Sequence, residues 1–563
     1  MFSLFKSYGQ CWLLLASFFL AGSVLAREPA RSAIASAHPL ATQAGYDILA
    51  QGGNAFDAAV AVAGALAVVE PQSSGLGGGG FFLLHIAAEN RDVFVDAREV
   101  APQAATADMY LDAAGQPRQK DALNGPLAAG IPGHAAGLAH LAGRYGRLSL
   151  ADSLEPAIDH AEEGFRAYRR MLVGLRFRQK TAARWPAFNE VFYPKGVVPP
   201  EGTLIRQPDL AGSLRRLAAD GASGFYAGET AQRLVDGVRD AGGIWTLDDL
   251  ARYRVVEREP VTGEYHGVRI VSAPPPSSGG IAIINMLNML SGFDLAQLSG
   301  ADRTHVTIEA MRRAYRDRAQ YLGDPRFVDV PVERLLHPFY ASGQRASIRM
   351  DRATASATLP GVWPTVDERP QTTHFSVLDA QGNRVAATLT INGWYGSAFM
   401  PPGTGMILNN EMDDFAIAPG VPNGFQLIGS AANAVAPGKR PLSSMAPTFL
   451  ESERGVAILG TPGGSRIITM VLLSSLAWMD GATADEMVSR KRFHHQYFPD
   501  RVVAETGALS EAEQTALEAR GHELQVSPRN FGNMNVVTWD YATGEVAAAT
   551  DPRGEVTIEG RVY

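Results

Sequence analysis

Apolar and polar positions along this chain fall into long apolar blocks separated by shorter alternating ones. From position 54 to 70 the sequence NAFDAAVAVAGALAVVE is apolar almost all round. That pattern predicts a helix buried on every side, not a surface helix with one wet face. Asp57 argues against a membrane span, and Pro71 ends the run. Further helices are predicted over 148–163, 230–241 and 305–322. In the last, Ile308, Met311, Ala314 and Tyr315 recur at helical spacing and read as core packing. Strands are predicted over 81–85, 91–96, 268–272, 371–378, 384–392 and 455–459. The turn Asp379-Ala380-Gln381-Gly382-Asn383 joins two of them into a hairpin. Along its second strand Ala387, Leu389 and Ile391 share one face, and Thr388, Thr390 and Asn392 share the other. A polar face on a strand in so apolar a chain is either wet surface or a site.

Several irregular segments punctuate these elements. Four consecutive glycines at 77–80 precede the strand 81–85 and permit close approach by another segment. They lack the Gly-Lys-Ser/Thr ending of a phosphate loop and do not open a helix, which argues against nucleotide binding. Ala273-Pro274-Pro275-Pro276-Ser277-Ser278-Gly279-Gly280 is a rigid turn expected to shape a cavity wall. Residues 351–371 are rich in Pro and Thr, lack periodicity and read as an exposed connector, where a chain break is tolerated. Asn409-Asn410-Glu411-Met412-Asp413-Asp414-Phe415 is expected to follow a short strand. It is either a solvated turn or a site for something cationic. A Pro/Gly-rich loop covers 419–441, and Pro462-Gly463-Gly464-Ser465-Arg466 opens a helix.

Composition narrows the class. The 563 residues are 46% hydrophobic and 19% charged, enough for a large buried core. The net charge is −8 and no Lys/Arg block stands out, so neither nucleic acid nor an anionic membrane surface is expected as a partner. Lys6 is the one charged residue in the first 26; an apolar run over 12–21 and Gly22-Ser23-Val24-Leu25-Ala26 follow. This reads as a signal peptide cut after Ala26, hence export to the periplasm or beyond. The alternative, a single membrane anchor, is disfavoured by the shortness of the run. The single cysteine, Cys11, lies inside that segment, which leaves the mature chain without disulfides, cysteine catalysis or thiolate metal sites.

Candidate chemistry centres on Thr372. A hydroxyl is a weak nucleophile without a neighbouring base, and amide neighbours are not basic. If the bond between Gln371 and Thr372 is cut, Thr372 gains an α-amine with a pKa near ~7.7–8.0. Nucleophile and base then belong to one residue, and the β-branch limits the hydroxyl to few rotamers. Taken alone, a Thr-Thr pair at a strand start reflects β-propensity more often than catalysis. Nearby Ser443 and Ser444 bring two adjacent hydroxyls, and Pro462-Gly463-Gly464-Ser465 at a helix start offers N–H groups suited to an oxyanion.

With these motifs in order, the chain resembles the γ-glutamyltransferase (γ-glutamyltranspeptidase, glutathione hydrolase) family of N-terminal-nucleophile hydrolases. The resemblance runs from about residue 33 to 563. It passes through the glycine run, Asp96-Ala97-Arg98-Glu99, the 274–280 turn and Tyr321-Leu322-Gly323-Asp324-Pro325. It continues through Thr372-Thr373-His374, 408–415, 440–444 and 462–466. It implies an α/β (α+β) fold, a four-layer αββα sandwich with two stacked central sheets. It also implies a signal at 1–26, a large subunit over 27–371 and a small catalytic subunit over 372–563, both from one precursor.

Residue by residue, the resemblance makes Thr372 the autocatalytic and catalytic nucleophile, assisted by Thr390. Arg98, Ser443 and Ser444 would hold the substrate α-carboxylate. Asn392, Glu411 and Asp414 would hold the α-ammonium, and Gly463 and Gly464 would donate N–H groups to the oxyanion. The implied reaction cleaves the γ-glutamyl amide of glutathione and related compounds and passes the acyl group to water, an amino acid or a dipeptide. No cofactor or metal is implied. Two positions depart from the pattern. Position 411 is Glu where some bacterial relatives have Gln, which adds negative charge for the ammonium. Phe425, in the 419–441 lid, stands where related enzymes carry a Tyr bonded to the residue matching Asn392, and Phe cannot donate that bond. The competing readings are a cephalosporin (glutaryl) acylase, a poly-γ-glutamate-processing enzyme, or an inactive exported binding protein.

Overall fold

The computed structural model describes residues 28–361, 372–418 and 420–554, together with the backbone of 557–558 and 561–562. The signal segment and residues 362–371 of the expected connector, Gln371 included, lie outside the described residues.

Two six-stranded sheets form the centre. The first runs, in spatial order, Ala33–Ala35, Thr373–Leu378, Arg384–Thr390, Gly79–Ile86, Arg91–Ala97 and Val256–Arg258. The second runs Val546–Thr550, Asn535–Asp540, Gly455–Gly460, Thr448–Glu451, Val268–Ser272 and Val261–Tyr265. Every neighbouring pair in both sheets is antiparallel, so the class is α+β.

Alternation along the strands splits the core in two. Phe82, Leu84, Val95, Val377, Ala387 and Leu389 pack under helices Pro39–Ala50, Ala55–Val69, His134–Tyr145 and Leu150–Glu163. Their neighbours Phe81, Leu83, Phe94 and Ala386 belong instead to the core shared with the second sheet. That sheet is covered by helices Gly279–Leu290, Gly300–Tyr321 and Ile467–Met479. The four layers are therefore helix, sheet, sheet, helix.

The all-apolar run becomes the helix Ala55–Val69, buried at every position. Asn54 caps it in a capping box with Asp57. The helix expected at 305–322 begins earlier, at Gly300, where Ser299 accepts from Asp302 N. No strand forms before Asn409. The backbone there divides its hydrogen bonds between Phe399 O, reached by Leu408 N, and Gly77 O, reached by Asn409 N, so no single ladder can form. The polar hairpin face is not wet surface. It faces the second sheet, where Ser376 Oγ donates to Ile458 O at 3.1 Å. The glycine run lets backbone pass close by: a Cβ on Gly78 would overlap Thr390 O.

Candidate active site

Thr372 sits at the edge of the inter-sheet face, 4% exposed, immediately before the strand Thr373–Leu378. Its Oγ1 lies 3.3 Å from Thr390 Oγ1 on the adjoining hairpin strand. Thr390 Oγ1 in turn accepts from Asn392 N at 2.7 Å. Asn392 has φ 72°, a conformation that Asn tolerates better than most residues. Its Nδ2 donates to Asn410 O at 2.8 Å, and Gly393 N donates to Asn410 Oδ1 at 2.9 Å. Behind the threonine pair, Thr373 Oγ1 donates to the buried carboxyl of Glu70 at 2.6 Å. Burial pushes that carboxyl above its ordinary range, partly offset by Arg170.

The segment 409–415, read as either a solvated turn or a site, holds a largely buried one-turn 3-10 helix, Glu411–Asp414. It meets Arg98, which is wholly buried at the end of the strand Arg91–Ala97. The guanidinium donates to Glu411 Oε1, to Asp414 Oδ2 at 2.5 Å and to Pro441 O at 3.3 Å. Glu99 Oε2 stands 3.6 Å from it. Burial alone would lower the Arg98 pKa, but the Glu411, Asp414 and Glu99 carboxylates hold it above its ordinary value. Burial raises the carboxyls of Glu411 and Asp414, against the pull of Arg98. Glu99 is pushed up to about 7 by burial, with Arg98 opposing. Neither Glu99 oxygen has a hydrogen-bond partner. Glu411 too is held well above its ordinary value, so the cluster as a whole is placed to keep a proton near neutrality.

Ser443 and Ser444 are fixed by the 274–280 turn, which backs the two serines without itself lining the cavity. Ser278 Oγ and Ser278 N donate to Ser443 O at 2.7 and 2.8 Å, and Ser443 N donates to Pro276 O at 2.8 Å. Both serine hydroxyls accept from the protein side: Ser443 Oγ from Met445 N at 3.1 Å, Ser444 Oγ from Arg318 Nη2 at 3.2 Å. Each O–H is thereby left to point elsewhere, as a donor. Gly464 opens the short turn Gly464–Arg466 ahead of the helix Ile467–Met479, with φ 55°; Gly463 precedes it with φ 144°.

One cavity of about 20 Å³ joins these groups, room for about one water molecule. Arg98, Thr372, Thr390, Asn392, Glu411 and Asp414 line it together with Phe425, Ser443, Ser444 and Gly464. Of the expected site residues, Gly463 stands one residue behind this lining and Gln371 is outside the described residues. A far larger cavity, about 870 Å³ around Trp185 and Phe399, contains none of these groups. Sequence reasoning gave no role to Glu70, Arg318 or Asn410. Arg318 did leave a signal, because an arginine continues the stripe Ile308, Met311, Ala314 and Tyr315 that was read as core.

Stacked antiparallel sheets between helical layers, with a threonine at the head of an inner strand, define the class of N-terminal-nucleophile hydrolases. Within it, the chain belongs to the gamma-glutamyltranspeptidase family, whose family model matches residues 41–560. The glutathione hydrolase proenzyme of Pseudomonas sp. (strain A14) is 43% identical over 500 residues, 87% of this chain and 86% of its own. A cephalosporin acylase from Bacillus halodurans superposes with a TM-score of 0.81 at 29% identity, over 93% of this chain and 95% of its own. A Helicobacter pylori gamma-glutamyltranspeptidase chain matches with a TM-score of 0.56 at 40% identity, over 57% of this chain and 93% of its own.

Proposed function

We propose that the chain is an exported proenzyme that severs itself before Thr372 and then transfers γ-glutamyl groups from glutathione and related amides to water or to amines. The observation that carries this reading is a single cavity holding a hydroxyl pair at one end and a two-signed charge clamp at the other. In the uncut chain Thr372 N is an amide; cutting turns it into the α-amine base. Thr372 Oγ1 then attacks the γ-carbonyl carbon, and its proton passes by way of the amine to the leaving nitrogen. The amide C–N bond breaks and a γ-glutamyl ester forms. Water or an amine attacks that ester, and Thr372 regains its proton. Thr390 orients the hydroxyl, and Gly463 and Gly464 supply N–H groups to the developing oxyanion.

The clamp explains the head-group choice. With no ligand bound, Arg98 pairs with Glu411 and Asp414 at once, one cation between two carboxyls. A glutamyl head is zwitterionic and can exchange into both halves at once, its carboxylate to Arg98, Ser443 and Ser444, its ammonium to Asn392, Glu411 and Asp414. Each charge of the ligand then meets protein groups of opposite sign. The likeness to a cephalosporin acylase keeps a second reading in view, acyl groups such as glutaryl that lack the ammonium. Such an acyl group would leave Glu411 and Asp414 facing an emptied half. Glutaryl-anilide should therefore turn over at least ~100-fold more slowly than γ-glutamyl-anilide. Equal rates would favour the acylase reading.

The Helicobacter pylori chain, equivalent to 57% of this one, supports a break into a longer and a shorter piece. On a denaturing gel the wild-type protein should run as two pieces and Thr372→Ala as one uncut, inactive chain. An uncut wild type that still hydrolyses γ-glutamyl-anilide would refute the mechanism.

A further inference from the structure

The helix Arg169–Ala182 presents a face that this reaction does not use. It also corrects the expectation that no basic block exists. Between Glu163 and Glu190 stand Arg166, Arg169, Arg170, Arg176, Arg178, Lys180 and Arg184, with no Asp or Glu among them. The overall charge of −8 masked this local reversal of sign.

The helix is firmly seated. Met171, Leu172, Leu175 and Ala182 are buried in the core, and Arg178 Nη2 donates to Gly396 O at 2.9 Å. Gly174 packs on Trp394, two residues past Asn392, where any side chain would overlap the indole. The opposite face is exposed: Arg169, Val173, Arg176 and Lys180 recur every three or four residues, and Phe177, four past Val173 and three before Lys180, widens the same stripe. Val173 and Phe177 are 46% and 51% exposed. A purely solvated helix face mixes charges of both signs and does not need two large apolar residues between its cations.

We propose that this stripe docks the protein on a bilayer surface rich in anionic headgroups. Its cations meet lipid phosphates, while Val173 and Phe177 enter the headgroup layer. The acidic remainder of the molecule is repelled by the same surface, which fixes the orientation. No membrane-crossing helix is required, and among the described residues none is long and apolar enough to be one. A soluble polyanion would complement the charge but gives Val173 and Phe177 nothing to enter.

The test is co-sedimentation of the chain lacking residues 1–26 with vesicles of phosphatidylglycerol and phosphatidylcholine in equal parts, against vesicles of phosphatidylcholine alone. The wild type should pellet with the anionic vesicles, stay in solution with the neutral ones and be released by salt. The triple variant Arg169→Gln, Arg176→Gln, Lys180→Gln should lose partitioning on the order of 100-fold, with γ-glutamyl-anilide turnover in solution unchanged. Phe177→Ser should lose the binding that survives moderate salt. A wild type that ignores anionic vesicles overturns the proposal, as does equal binding to neutral vesicles or full binding by the triple variant. Retention on a soluble polyanion without vesicle binding would overturn it too, and would reassign the face.

Discussion

Ser444 is set to donate into the cavity because Arg318 already occupies one of its lone pairs. The guanidinium also donates to Ser278 Oγ at 3.1 Å, and that hydroxyl holds Ser443 O. One buried cation thus orients the paired serines, without being placed to touch a substrate in the described geometry. Arg318→Met should raise KM for a γ-glutamyl donor by about 10-fold or more, the worth of a charged hydrogen bond, with a smaller change in kcat. Arg318→Lys should recover part of the loss. A drop in kcat at constant KM would show that Arg318 acts on the reacting bond instead. Glu99 makes a separate prediction at the same scale. Its carboxyl has the ordinary carboxylate value when unfolded, and burial pushes it up to about 7 in the folded chain. Between those values the unfolded chain ionises first, so stability falls as pH rises through the window. Glu99→Gln removes that fall. In the uncut Thr372→Ala background the variant should gain about 3 kcal/mol over its parent between pH 4.5 and pH 7, by urea unfolding. A parallel pH dependence would place the raised proton affinity on another carboxyl.

Elements differed sharply in how far the sequence revealed them. The helix Ala55–Val69 was legible because its cap, stop and apolar run all lie within it. The nucleophile hairpin was legible because alternation and a tight turn are local signals. The clamp was not, since Arg98 and Glu411 are 313 residues apart and no local pattern joins them. Family resemblance, not periodicity, pointed to it. The turn at 411–414 was open between solvent and site for the same reason: its burial comes from other segments. The lid shows both limits. Phe425 is 5% exposed and lines the cavity, and Gln496 Nε2 holds its carbonyl at 3.2 Å. Further ties run from Gly424 N to Asp413 Oδ2 at 2.7 Å and from Asn433 Nδ2 to Asp414 O at 2.7 Å. A cavity of about 20 Å³ cannot admit a glutamyl head as it stands, so side chains of the lining, Phe425 of this loop among them, must move when a substrate enters. Phe425→Tyr adds a hydroxyl that could reach Asn392, an ordinary hydrogen bond that should tighten closure. Transfer should rise against hydrolysis by about 2- to 10-fold. Gln496→Ala should move the ratio the other way, and an unchanged ratio in both variants would dissociate the lid from acceptor choice.

At the scale of the whole molecule, the proposed reaction depends on how far apart the two sheets stand. Thr372 leads a strand of the first sheet, and Gly463-Gly464 follows a strand of the second, Gly455–Gly460. Between them the ring of His374 lies against Gly460, where a Cβ would overlap the imidazole. Burial lowers the His374 pKa to about 3, so the ring stays neutral at working pH. It bonds Thr388 Oγ1 at 2.9 Å and Ser376 Oγ at 3.2 Å, and its carbonyl accepts from Asn535 Nδ2 at 2.7 Å. The ring therefore cannot swing away from Gly460 without breaking its bonds to Thr388 and Ser376 of the first sheet. Gly460→Ala should force the sheets apart or out of register at the end where nucleophile and oxyanion loop meet. The expected cost is about 1–3 kcal/mol of stability and at least a 10-fold fall in self-cleavage and kcat. KM for the donor should change less, because the clamp is anchored on Arg98 and the 274–280 turn. Adding His374→Ala to Gly460→Ala removes the clash and should restore part of the stability, a coupling that two independent sites would not show. Normal processing and kcat in Gly460→Ala would mean that the sheet spacing is fixed elsewhere, by Ser376 and Asn535.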